Sequence, residues 1–154
     1  MKKRIDTIIK SLKIVQSILI VTLFFFFLAI LSLVNMDKIN TISLEAAQVH
    51  IILSMVILFF VAAAVGGQWL FKKRLNIPKN TPGTILLERY RDAFIMRTSL
   101  IEIIGFIALV CYYLLGHDTF IILAGLSVLL MLLYFPSKRK MFSDLQIKES
   151  DLIE

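Results

Sequence analysis

The hydrophobic residues of this chain gather into four long runs separated by short polar segments. The runs cover residues 14–34, 49–71, 94–115 and 118–135. A helix needs roughly 20 apolar residues to cross the hydrocarbon core of a bilayer, which is about 30 Å thick. The first three runs reach that length and the fourth is shorter. The pattern predicts an all-α integral membrane four-helix bundle of two antiparallel hairpins, with residues 1–154 as a single transmembrane domain.

Breaks in the hydrophobic pattern predict where helices begin and end. Residues 1–13 carry isoleucines and a leucine at helical spacing, which favours an amphipathic helix lying on the membrane interface before the first span. The third helix is expected to begin near Thr84, and residues 116–119 to form a tight turn between the third and fourth spans. Pro136 should end the fourth span, and residues 136–154 should form a cytoplasmic tail. From Met141 onwards this tail is polar or weakly amphipathic, and Ser143 is a candidate cap for a short helix in it.

The composition agrees with a membrane protein. Hydrophobic residues make up 58% of the chain and the mean hydropathy is +0.85. An ordinary soluble domain has about 45–50% apolar residues. The polar segments between the runs are too short for a soluble catalytic or nucleic-acid-binding domain, so the function has to reside in the helices or the short loops.

Basic residues are distributed unevenly between the loops. Of the 17 Lys and Arg residues, 15 lie before the first run, between the second and third, or after the fourth. Lys38 alone occupies a loop on the other side, and Arg97 lies inside a span. The positive-inside rule therefore predicts that both termini and the tail are cytoplasmic. The basic clusters indicate topology and attraction to membrane lipid rather than to nucleic acid.

Glu102 is the most unusual residue because it lies about eight residues, or about 12 Å, inside the third run. A carboxylate at that depth normally faces a bundle interior or water, so Glu102 should face the interior. It could carry a proton, bind an ion or act as a general acid or base. It could equally be a structural hydrogen-bond partner or a counter-ion. Arg97 could snorkel to the interface or contact Gln16, Gln68 or Glu102 of a neighbouring helix.

Polar residues accumulate in the half of the spans nearest the predicted cytoplasmic side, which indicates either a cavity or hydrogen bonds between helices. The candidate intramembrane polar site consists of Glu102, Arg97, Thr98, Ser99, Gln68 and Gln16. Small residues at helical spacing predict close helix packing. These candidates are Ala62, Ala63, Gly66, Gly67 and Gly105.

The sequence has no motif for established catalytic or cofactor chemistry. Its one cysteine excludes a disulfide within the chain, and its two histidines have no metal-binding spacing. The motifs of P-loop, dinucleotide-binding and serine-hydrolase sites are missing. We therefore predict no catalytic residue, no metal and no cofactor.

The segment from Tyr90 to Glu102, with Phe106, Tyr113 and the closing Phe135-Pro136, resembles a family of small four-span membrane proteins in Bacteroidota-like bacteria. The resemblance covers the second half of the chain. It implies a multi-pass protein of the bacterial inner membrane and brings no activity with it.

Two functional hypotheses from different classes follow. The first is a non-enzymatic accessory or assembly protein that binds copies of itself or another membrane protein, because the chain has a small-residue face and no soluble domain. The second is a small oligomeric transporter or channel that uses Glu102 as a protonatable site. A membrane enzyme ranks third.

Overall fold

The computed structural model describes residues 2–35, 44–76 and 81–145. Within those ranges the chain forms five helices and no strand: α1 (Lys2–Asn35), α2 (Ala46–Leu75), α3 (Gly83–Leu115), α4 (Thr119–Leu133) and α5 (Lys138–Leu145). The prediction of an all-helical protein is confirmed.

Three of these helices, α1, α2 and α3, are long and apolar enough to cross a membrane. Helix α4 has only 15 residues, which gives it a length of about 22 Å. After a break the chain bends by 84° into α5, and α4 would complete a fourth crossing only as part of this bent pair. The four-span bundle and the side of each terminus therefore stay predictions.

Helix α3 is the central element, because α1, α2 and α4 all pack against it. Helix α1 runs parallel to α3, since Arg4 meets Glu88 and Leu23 meets Gly105. Helices α2 and α4 run antiparallel to α3. We call the end of the bundle with the α3–α4 turn the hairpin end, and the end where α1 begins and α5 lies the terminal end.

The buried apolar residues form two clusters, one towards each end. The hairpin-end cluster joins α1, α2, α3 and α4, and its members include Leu23, Ile30, Val56, Ala108 and Phe120. The terminal-end cluster joins α1, α2, α3 and α5, and its members include Ile5, Leu12, Phe71, Tyr90 and Met141. Helix α5 therefore completes the core at the terminal end, where α4 has already ended.

Several predicted boundaries are correct. Helix α3 begins at Gly83, one residue before the predicted position, and Gly116 ends it in the left-handed conformation with φ 65°. A residue with a side chain would be strained there, which explains the glycine. The turn at residues 116–119 thus joins α3 to α4 as a hairpin, as predicted.

Two predictions at the terminal end are wrong. The first residues are helical and bury one face, as predicted, but they do not form a segment apart from the bundle, because α1 is one helix from Lys2 and buries Ile5 in the terminal-end cluster. The tail helix is not capped by Ser143, which lies inside α5. Ser137 caps it instead, since its Oγ accepts a hydrogen bond from the Lys140 N–H at 3.2 Å.

Candidate functional site

Arg97 of α3 is buried between the two apolar clusters, with only 2% of its surface exposed. Its Nη1 donates a hydrogen bond to Gln68 Oε1 of α2 at 3.0 Å. The guanidinium lies 4.1 Å from the ring centre of Phe71 and 4.2 Å from that of Tyr134. Such cation–π contacts are strengthened where water is excluded. The aromatic rings and the amide together stabilise a charge that burial alone would disfavour.

This geometry decides between the two expectations for Arg97. The prediction that the Arg97 side chain extends to the membrane interface is wrong, because α2 and the bend between α4 and α5 cover that side chain. The contact with Gln68 is one of the cross-helix contacts considered from the sequence. Arg97 Nε has no hydrogen-bond partner among the described residues. Because its neighbours come from α2, α3 and the end of α4, Arg97 ties three segments together.

Helix α5 brings a carboxylate to the same region, which the sequence reasoning missed. Asp144 shares a hydrogen bond with Tyr90 of α3 and lies in the field of Arg97. Burial raises the pKa of the Asp144 carboxyl, and the positive charges of Arg97, Lys140 and Lys72 oppose part of that rise. Only the packing of α5 on the terminal end of the bundle brings Asp144 there. The helical spacing of Met141, Phe142 and Leu145, which pack on the terminal-end cluster, is the sequence signal that could have found it.

The other buried polar side chains mostly bond to backbone carbonyls. Gln16 of α1 is fully buried, and its Nε2 donates a hydrogen bond to the Met131 carbonyl of α4. The Thr98 hydroxyl donates to carbonyls of its own helix, and so does the Ser127 hydroxyl. Ser99 is half-buried. We call the five buried polar residues together with the half-buried Gln68 the polar layer; it consists of Gln16, Gln68, Arg97, Thr98, Glu102 and Ser127.

Glu102 faces the bundle, with 9% of its surface exposed. Across residues 2–35, 44–76 and 81–145, no side chain forms a hydrogen bond or ion pair with its carboxyl group. The Thr98 hydroxyl, one turn away, bonds to the carbonyls of Phe94 and Ile95 instead. The interior location agrees with the expectation, and within the described part of the chain no polar side chain of α1 or α2 forms a hydrogen bond with the Glu102 carboxyl group. Glu102 is therefore a buried carboxyl group with unused hydrogen-bonding capacity.

Two of the five predicted packing residues lie in close helix contacts. A Cβ atom added at Gly67 would lie 3.6 Å from Arg97 Cγ, so α2 approaches α3 closely there. A Cβ atom at Gly105 would lie 2.9 Å from Leu23 Cδ2 and 3.1 Å from Ser127 Cβ. At Gly105 the neighbouring side chains would have to move to admit a Cβ atom, so the glycine permits a close approach of helices. At Gly67 a Cβ atom would make ordinary van der Waals contact with α3.

Gly66 and its neighbours lie differently from the prediction. A Cβ atom added at Gly66 would meet nothing within 4 Å, Ala62 is exposed, and Ala63 is half-buried. The prediction of a helix contact at Gly66 is wrong within this chain. The reason is geometric, because successive residues of a helix are rotated by about 100°. Gly67 faces α3, so Gly66 faces outwards.

The described residues contain no group of three or more His, Cys, Asp and Glu side chains that could hold a metal ion. A shallow depression on α2 is lined by His50, Ile51, Ser54, Met55 and Leu58, far from the polar layer.

Comparison with known proteins found no matching family model, no similar curated protein and no similar solved structure.

Proposed function

We propose that this chain is a small non-enzymatic accessory or assembly protein of a bacterial inner membrane, a four-span bundle with both termini in the cytoplasm. The observation that supports it best is that side chains of the polar layer form hydrogen bonds between helices of the same chain. Arg97 bonds to Gln68 and Gln16 bonds to the backbone of α4. Polar side chains of this kind hold neighbouring membrane helices together.

A protein that acts by binding needs a stable scaffold and an outer surface that another protein can cover. The aromatic neighbours of Arg97 and the close packing at Gly105 supply the scaffold. The outward faces of α2 and α4 supply the surface, since they carry large exposed apolar residues such as Leu58, Ile122 and Leu133. Exposed apolar area in a membrane helix is available to lipid and to protein alike.

Copurification from native membranes tests the proposal. The full chain is crosslinked in the membrane, solubilised and analysed for proteins captured in constant proportion. Gly66→Leu and Gly125→Leu then act as a matched pair, because an added Cβ at either position meets no atom within 4 Å. Both variants should fold as the unmodified chain does, and at least one should lose the captured protein. Consistent recovery of no protein, not even a second copy, would contradict the proposal.

The alternative function is a small oligomeric transporter or channel, and one observation favours it. The Glu102 carboxyl group is buried and makes no hydrogen bond or ion pair with a described residue, so it is free to bind a proton or an ion. Glu102→Gln keeps the size and polarity of the side chain but removes its titration. If the chain conducts protons, the variant should fold normally and lose a pH-driven flux in proteoliposomes. If the chain is an accessory protein, neither form should show a flux above that of empty vesicles.

A further inference from the structure

One stripe along the exposed side of α2 changes in chemistry from one end to the other. Leu58, Ala62, Val65, Trp69 and Lys73 follow each other at steps of three or four residues, which puts them on one face of the helix. All five are exposed. The stripe therefore passes from apolar residues through an indole ring to an ammonium group.

The same order of chemistry runs along a phospholipid, from acyl chain through glycerol and ester groups to phosphate. Trp favours the level of the ester and headgroup region. From Leu58 to Trp69 the stripe rises about 16 Å, which matches half of a hydrocarbon core of about 30 Å. Gly66 lies one turn from Ala62, and a Cβ atom added there would meet nothing within 4 Å, so an acyl chain can lie against the helix at the middle of the stripe.

The charges at the terminal end decide which headgroup fits. In residues 4–13, 72–76, 81–92 and 137–145 there are eleven basic residues and four acidic ones. Three of the four carboxylates are in ion pairs: Asp6 with Lys138, Glu88 with Arg4, and Asp92 with Arg91. The fourth, Asp144, bonds to Tyr90 and lies in the field of Lys72. These four acidic groups are thus used within the protein, and Lys140 lies in the field of Asp144 as well. The other basic residues of these ranges, Lys73 and Arg74 among them, form no ion pair with a described residue.

Lys73 and Arg74 belong to this unpaired set. Lys73 Nζ lies 4.9 Å from the centre of the Trp69 ring. This contact holds the ammonium group directly below an indole that is 59% exposed. Both cations lie in the last turn of α2, where the carbonyl ends of the helix favour positive charge. Neither makes an ion pair with a residue in the described part of the chain.

We propose that this stripe of α2 binds an anionic phospholipid, with the phosphate at Lys73 and Arg74, the ester region at Trp69 and an acyl chain along Val65, Ala62 and Leu58. The membrane supplies this ligand directly, and the charge of the site selects phosphatidylglycerol over phosphatidylcholine. The inference does not depend on the proposed accessory function.

Native mass spectrometry of the full chain, released from bilayers that mix phosphatidylcholine and phosphatidylglycerol, tests the site. The unmodified chain should retain phosphatidylglycerol preferentially. Lys73→Gln with Arg74→Gln should lower the apparent affinity at least about tenfold, since each cation near an anionic surface contributes appreciably. Lys73→Arg with Arg74→Lys keeps both charges and should retain the lipid.

Lys10→Gln with Lys13→Gln is the matched control, because it removes two exposed charges from the same end of the bundle but from α1. It should change the retention less than about threefold. An equal loss in both double variants would show a diffuse attraction and overturn the local site. Retention of soluble glycerol phosphate as readily as lipid would overturn the role of the apolar stripe. The unmodified chain could instead appear as a dimer that carries no lipid, and Ala62→Trp could abolish that dimer. This result would show that a second copy covers the stripe, and it would also overturn the proposal.

Discussion

The two ends of the bundle are closed by helices of different kinds. Aromatic pairs pack at both ends, since Phe26 meets Phe106 edge-on at the hairpin end much as Phe71 meets Tyr90 at the terminal end. The close approach of three helices at Gly105 belongs to the hairpin end. The hairpin-end cluster is closed by α4, whereas α5 closes the terminal-end cluster.

The difference follows from the surroundings of each end. Membrane helices gain little from hiding apolar surface from lipid, so their association depends on close packing and hydrogen bonds. The terminal end carries charged side chains, so water is available there and the hydrophobic effect can hold α5 in place. Met141 is accordingly fully buried, while Lys138 pairs with Asp6 at the rim. Gln16, Gln68 and Arg97 lie between the two clusters on α1, α2 and α3.

The largest expected effect comes from breaking the close packing at the hairpin end. Gly105→Leu should destabilise the bundle by about 3 kcal/mol, because the new side chain would overlap Leu23 and Ser127. Unfolding by titration with a denaturing detergent measures this. Gly125→Leu makes the same substitution where nothing lies within 4 Å, and it should unfold like the unmodified chain. Equal stability of the two variants would contradict this account of the hairpin end.

The second prediction concerns Arg97 at the boundary between the two ends. Arg97→Met should cost about 2 kcal/mol, because Gln68 loses its hydrogen bond inside the bundle and three rings lose a cation. Arg97→Lys keeps the charge but not the planar group that lies over Phe71 and Tyr134, so it should recover only part of the loss. The same detergent titration measures both. Full recovery by lysine would show that charge alone matters.

The smallest effect on overall stability should come from the terminal end. Met141→Ala removes a fully buried side chain, which costs about 2–5 kcal/mol in a cooperative core. Helix α5 is short and can detach by itself, so the loss should appear as local opening rather than as unfolding of the spans. Hydrogen exchange should increase across α5 and change little in α4. Faster exchange throughout α4 would show that the two ends unfold together.

The main helices could be predicted because run length and turn residues determine them. About 20 apolar residues in succession have few alternatives to a membrane helix. Gly116 ends α3 because only glycine adopts its backbone conformation without strain. Glu102 was expected inside because a carboxylate in lipid is costly, and its side chain does face the bundle.

The rest depended on contacts between residues far apart in the sequence. Arg97 lies near enough to the interface to snorkel, and only the placement of Phe71 and Tyr134 shows that this route is covered. Gly66 and Gly67 are equivalent in sequence, yet a rotation of about 100° puts one outside and the other against α3. The apolar spacing within α5 indicates a buried face, but the surface on which α5 docks is made by three other helices.

The brevity of α4 has a consequence for the bilayer itself. Helices α1, α2 and α3 each have 30 residues or more, whereas α4 has a length of only about 22 Å. If α4 is the proposed fourth crossing, acyl chains beside it would have to shorten by about 8 Å, or the whole molecule would have to tilt, at a cost of fractions of a kcal/mol per Å of mismatch. That flank of the protein would then thin the membrane locally. In a cell with bilayers of uneven thickness, the protein would partition into the thinner regions.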